Sequence, residues 1–122
     1  MSDEEPKVVL IIRRDLKLRR GKEIAQGCHT SVLLAAYYEK YINNCATYFK
    51  WRNGIHKTIV LQAEGLPDLV QIAAKAAKLG VCSNYVTDIG LTELETATIT
   101  ALFLGPDYNE KLDQITSNLK LY

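Results

Sequence analysis

Cysteine is scarce in these 122 residues and poorly placed for covalent or metal chemistry: Cys28, Cys45 and Cys82 are odd in number, far apart and form no C-x-x-C pair. That excludes a disulfide framework, argues against a zinc site and points to a reducing compartment. Long hydrophobic runs are missing too. Nothing approaches the ~20 apolar residues that span a bilayer, and the acidic start MSDEEP has no apolar centre for a signal peptide. The expected setting is cytoplasmic, with no membrane. An excess of one charge is also lacking: 15 Lys and Arg against 14 Asp and Glu give a net +1 and a pI near 7.7. A generally basic nucleic-acid coat protein is therefore excluded, although a local basic patch is not.

The charge is indeed local. Between residues 13 and 22 lie Arg13, Arg14, Lys17, Arg19, Arg20 and Lys22 against one acid, Asp15. This stretch carries +5 in a chain of net +1, which leaves −4 for the remainder. It follows an uninterrupted apolar run, residues 8–12, which reads as a strand covered on both faces. It precedes a helical pattern opening at Gly21-Lys22. A strand's carboxyl end leading into a helix N-terminus is where an open α/β sheet gathers anions.

The rest of the chain reads as support, and 48% hydrophobic residues suffice for a core. Residues 1–6 read as a disordered N-terminal tail and residues 7–122 as one domain. The first helix runs over about 22–42, with Ile24, Ala25, Cys28, Val32, Ala35 and Ala36 at helical steps and Tyr37, Tyr38 and Tyr41 in its last turns. A short second helix is expected within the irregular stretch 45–56. KTIVLQA is a second strand, and Gly65-Leu66-Pro67-Asp68 opens a helix with Leu69, Ile72, Ala73, Ala76 and Leu79 inward and Gly80 closing it. Residues 81–87 form a weaker third strand ending at Asp88, ITALFLG is a fourth, and a last helix carries Leu112, Ile115 and Leu119. The expected fold class is α/β: a three-layer sandwich with a four-stranded mixed sheet, order βαβαββα, and helices on both faces.

Several catalytic motifs fail on inspection. Gly21-Lys22 is no Walker loop, because Leu16 and Glu23 stand where a glycine and a hydroxyl residue are required, and no glycine-rich dinucleotide fingerprint follows the first strand. Cys28 and His29 are adjacent, yet consecutive helical side chains diverge by about 100°, so a thiol–imidazole dyad is disfavoured. His29 alone reads either as a structural histidine or as a site residue. Asp88, at a strand end beside Gly90, reads either as a turn aspartate or as a functional carboxylate. Thr92 is unremarkable by itself.

The segment IRRDLKLRRGKEIAQGCHTS nevertheless resembles the archaeal and eukaryotic type of peptidyl-tRNA hydrolase, one of two unrelated families with that activity. Its pattern R-x-D-L-x-M-x-x-G-K-x-A-A-Q-x-x-H-A is matched by Arg13, Asp15, Leu16, Gly21, Lys22, Ala25, Gln26 and His29. The resemblance continues through Trp51, Gly54, Lys57, KLGV at 78–81, Asp88, Gly90, Thr92, Gly105-Pro106 and the terminal LKLY. Departures cluster after Asp88, where the family's D-A-G-R-T-Q becomes DIGLTE, with Leu91 for arginine and Glu93 for glutamine.

The resemblance implies hydrolysis of the ester joining a peptide to the 3′-terminal ribose of tRNA, which recycles stalled peptidyl-tRNA. It implies a homodimer, no cofactor and no metal. It assigns catalysis to Lys22, Asp88 and Thr92, and substrate binding to Arg13, Arg14, Lys17, Arg19, Arg20, Gln26 and His29. The loss of arginine at position 91 leaves a competing reading, a catalytically weak relative that serves as an RNA- or protein-binding module.

Overall fold

The computed structural model describes residues 4–42, 44–88 and 97–122. Its central element is β1 (Lys7–Arg13), whose five inner residues are all buried. After the basic loop come α1 (Arg20–Tyr41) and α2 (Ala46–Asn53), then β2 (Thr58–Ala63), α3 (Leu66–Leu79), β3 (Ser83–Asp88), β4 (Thr98–Asp107), α4 (Asn109–Thr116) and β5 (Lys120–Leu121). The strands form one mixed sheet in the order β3-β4-β1-β2-β5. β1 runs parallel to β2 and antiparallel to β4, while β3 and β5 pair antiparallel to β4 and β2.

Side chains of a strand alternate between faces, and β1 shows why its apolar run is continuous. Val9 and Ile11 join a cluster with Leu69, Ile72 and Ala76 of α3 and Leu112 and Ile115 of α4. Val8, Leu10 and Ile12 join another with Leu34 and Tyr38 of α1 and Tyr48 of α2. The rings of Tyr38 and Tyr48 stack at 4.7 Å, and Tyr48 donates to Glu39 at 2.8 Å. Burial, and then this carboxylate, push the Tyr48 hydroxyl up to about 12.

The sheet has five strands among the described residues rather than the expected four, and the element order is βααβαββαβ rather than βαβαββα. The added strand is only two residues long, too short for any periodicity to announce it. It comes from LKLY, and Leu119, expected on the last helix, lies beyond that helix's end. That helix ends at Thr116, and Tyr122 N–H donates to Val60 O at 3.0 Å. The presumed tail divides: Met1–Asp3 lie outside the described residues. Pro6 is buried, and Glu4 accepts from Lys50 Nζ at 2.8 Å through its carbonyl and from the Asn109 N–H at 3.2 Å through Oε2.

α3 follows its sequence closely. Asp68 Oδ2 accepts the Gly65 N–H at 3.1 Å at the start, Pro67 occupies the first turn where its missing N–H costs nothing, and Gly80 closes the helix at φ 71°. α1 does not follow the expectation. Its buried stripe is Gln26, Thr30, Leu34 and Tyr38, whereas Ile24 is 62% and Val32 68% exposed. The helix is rotated by about half a turn from its apolar pattern, because polar partners on the sheet claim Gln26.

Candidate active site

β1 delivers the chain to the edge of the sheet, and the basic loop carries it back to α1. Two backbone bonds extend the parallel ladder into that loop: Arg14 N–H to Ala63 O at 2.9 Å and Asp15 N–H to Glu64 O at 3.1 Å. The loop is thereby tied to β2. Lys17 adopts φ 52°, a left-handed turn that a non-glycine residue tolerates only at a sharp reversal. Arg19, the N-cap of α1, is extended and makes no side-chain cap, so the dipole-positive helix start is flanked by Arg19 and Arg20.

Lys22 lies in the first turn of α1, where the dipole disfavours a cation. A carboxylate from elsewhere offsets this: Lys22 Nζ pairs with Asp88 Oδ2, the last residue of β3, across 66 positions of sequence. The side chains are 11% and 2% exposed. A charge so deeply placed is tolerable only when paired, and here it is.

Below Lys22 on the same side of the helix, Gln26 Oε1 meets Thr100 Oγ1 of β4 at 2.9 Å. Thr100 Oγ1 also lies 3.2 Å from Val86 O of β3. Thr30 donates to Gln26 O at 2.7 Å. The Thr100 hydroxyl and the Gln26 amide tie α1 to both strands, while the Thr30 bond stays within the helix. Thr100 carried no signal in the sequence, since threonine within a strand is ordinary.

The other expected residues divide. Arg13 forks onto Asp15, Nε to Oδ1 at 3.0 Å and Nη2 to Oδ2 at 2.8 Å, and gives Nη1 to Ile99 O at 2.9 Å. The Arg13 guanidinium holds the Asp15 carboxyl below its usual range. Arg14 Nη1 reaches Glu23 Oε2 at 3.1 Å and Tyr122 OH at 2.6 Å, and its guanidinium lies over the Tyr122 ring at 4.7 Å. Tyr122 OH in turn donates to Glu23, and that bond raises its pKa. Lys17, Arg19 and Arg20 are exposed around the helix start. His29 is exposed two turns along α1 from Lys22, about 10 Å by the helical rise. Thr92, with Leu91 and Glu93, lies outside the described residues.

Among the described residues no three His, Cys, Asp or Glu side chains gather as metal ligands, and no helix is long and apolar enough to cross a membrane. Two clefts are lined elsewhere. One, of about 290 Å³, lies between α3, α4 and the β2–β5 edge, with Asp68, Gln71 and Lys75 on its wall. The other, of about 250 Å³, lies beside α1 between Leu10, Ile12, Ile24 and Val60. Neither includes Lys22 or Asp88. Chemistry rather than hollow volume marks the candidate site: a buried cation–carboxylate pair at the sheet's edge, next to exposed basic residues.

Comparison with known proteins gives the family of the chain. The sequence profile described as Peptidyl-tRNA hydrolase PTH2 matches residues 6–122. A peptidyl-tRNA hydrolase of Thermococcus sibiricus is 42% identical over 118 residues, covering 94% of this chain and 96% of its own. One of Nanoarchaeum equitans is 40% identical over 113 residues, covering 93% and 96%. One of Methanocaldococcus jannaschii is 35% identical over 115 residues, covering 94% and 98%. With matches that run through both the Lys22 and the Asp88 segments and nearly end to end, the chain belongs to the PTH2 family of peptidyl-tRNA hydrolases.

Proposed function

We infer that this protein hydrolyses peptidyl-tRNA, cleaving the ester between the peptide and the 3′-terminal ribose. The observation that carries the reading is the Lys22–Asp88 pair, in which the two motif segments of the sequence meet. In the proposed reaction a water attacks the ester carbonyl, the carbonyl oxygen becomes an oxyanion, and the ribose oxygen leaves. Lys22 supplies positive charge to that oxyanion, or to the neighbouring phosphate, in a site already shielded from water. Asp88 orients the attacking water and accepts its proton. A carboxylate accepts about four hydrogen bonds, so pairing with Lys22 and holding a water are compatible. Thr92 holds the water or the ribose through its hydroxyl, and the proton taken by Asp88 passes to the leaving oxygen.

Lys17, Arg19 and Arg20 meet backbone phosphates of the acceptor stem, which positions tRNA without reading its sequence. Arg13 and Arg14 are committed to Asp15 and Glu23. In this reading they hold the shape of the loop that presents the other three, and His29 borders the substrate from the open side of α1. The same reading takes residues 7–122 as one working domain, acting as a cytoplasmic homodimer. The competing view, a binding module without catalysis, is not favoured by relatives that are named as hydrolases over nearly their whole length.

The test is release of the acyl group from N-acetylated aminoacyl-tRNA. Wild type turns the substrate over, and K22A and D88A each lose on the order of a hundredfold or more in kcat/KM. No turnover by wild type overturns the hydrolase reading; undiminished rates in both variants overturn the residue assignment.

A further inference from the structure

Thr100 and Gln26 are 1% and 2% exposed, which leaves them no surface for substrate, yet burying polar groups is costly unless they are paired. Their setting accounts for the pairing. Along the β3–β4 ladder Val86 faces Ala101, but the next rung joins Thr87 to Ile99, so Thr100 is the extra residue of a β-bulge. The strand changes phase there. Leu102 and Leu104 pack with α3 and α4, Ala101 and Phe103 with α1, and Ile99 again with α3 and α4. Thr100 is thereby turned to the α1 side next to Ala101, the re-aiming that bulges provide beside active sites.

A hydroxyl has one proton to donate, so Thr100 can donate to Val86 O or to Gln26 Oε1 but not to both. When it donates to Val86 O, the Gln26 amide, turned over, donates to Thr100 Oγ1, and all three groups are satisfied. Gln26 is one helical turn beyond Lys22, and Val86 is two residues before Asp88. The bulge is also held from its far side, where Arg13 Nη1 donates to Ile99 O at 2.9 Å.

We propose that Thr100, acting through Gln26, is a positioning residue for the Lys22–Asp88 pair, and that the β4 bulge sets how closely α1 approaches the end of β3. The inference rests on the hydrolase reading above for its kinetic consequence, but not for its structural one. T100V keeps the shape of the side chain and removes its hydroxyl. It lowers kcat about tenfold while KM for N-acetylated aminoacyl-tRNA changes less than twofold, because the reacting groups shift and the phosphate contacts do not. T100S, which restores the hydroxyl, returns kcat to within twofold of wild type. In a K22A background T100V causes no further loss; an additional tenfold loss there, or an unchanged kcat in T100V alone, overturns the proposal.

A second measurement does not depend on turnover. In 15Nζ lysine spectra the ion-paired Lys22 ammonium gives a signal that D88N abolishes, that T100S retains and that T100V shifts or broadens. An unmoved signal in T100V overturns the positioning role even if the enzyme is active. If wild type fails to hydrolyse the substrate, the hydrolase reading falls, and the spectra still decide the positioning claim. Should T100V not fold, Q26M breaks the same contact from the helix side and carries both readings.

Discussion

The two sides of α1 invert what their residues suggest. The side that meets β3 and β4 carries Lys22, Gln26 and Thr30 above Leu34 and Tyr38, and it is buried. The opposite side carries Ile24, Cys28 and Val32, and it is exposed. Hydrophobicity alone would have turned the helix the other way, since burying an isoleucine or valine is worth about 1.5–3 kcal/mol. Lys22 and Gln26 on the inner side each have a specific partner on the strands, and a buried polar group deprived of its partner costs about as much. Ion-pair and hydrogen-bond complementarity with Asp88 and Thr100 sets the rotation of the helix, and Leu34 and Tyr38 farther along supply the apolar anchor.

The strongest way to break this comparison is at its polar end. K22A takes the cation from the buried Asp88 carboxylate and is expected to cost about 3 kcal/mol of stability, in addition to the hundredfold loss of activity. Replacing both partners, as K22M/D88L, recovers most of that stability in urea unfolding and none of the activity. If the double variant is as unstable as K22A, the cost does not come from removing the cation from a buried carboxylate.

The apolar end gives a paired test. L34A on the inner side should lose about 2–5 kcal/mol, as buried leucine truncations do, whereas V32A on the outer side should stay within about 0.5 kcal/mol. Equal losses would mean that the outer side is covered in solution. V32E sharpens this: light scattering reads whether the expected homodimer survives a charge on the exposed stripe.

A smaller effect is expected at Arg13, which braces the bulge that serves the inner side. R13A should cost about 1 kcal/mol and weaken the molecule's tolerance of acid in a defined window. Asp15 is held below its ordinary value of 3.8 chiefly by the hydrogen bonds from Arg13. A depressed carboxyl adds stability above its unfolded-state pKa and loses it as pH falls through the folded one. The gap between wild type and R13A should therefore be constant above about pH 4 and shrink below 3.8. The smallest change is in salt dependence: R19A/R20A should flatten the slope of tRNA affinity against salt concentration by about two phosphate contacts, an unchanged slope placing the RNA surface elsewhere.

What could be read from residues alone was whatever depends on local chemistry or ordered motifs. The apolar run of β1, the start of α3 at Gly65 to Asp68, its end at Gly80 and the charge of the basic loop all follow from side-chain type and spacing. Family membership followed from an ordered set of matches. β5 escaped because two residues carry no period, and α1's inner stripe was misjudged because periodicity ranks residues by hydrophobicity and knows nothing of partners. The convergence of Lys22 and Asp88, the commitment of Arg13 and Arg14 to Asp15 and Glu23, and the use of Thr100 were decided by tertiary structure. The Lys22–Asp88 and Gln26–Thr100 contacts depend on which strand lies beside which helix and on one extra residue in β4, while the short-range pairs of Arg13 and Arg14 depend on the fold of a loop whose backbone is tied to β2.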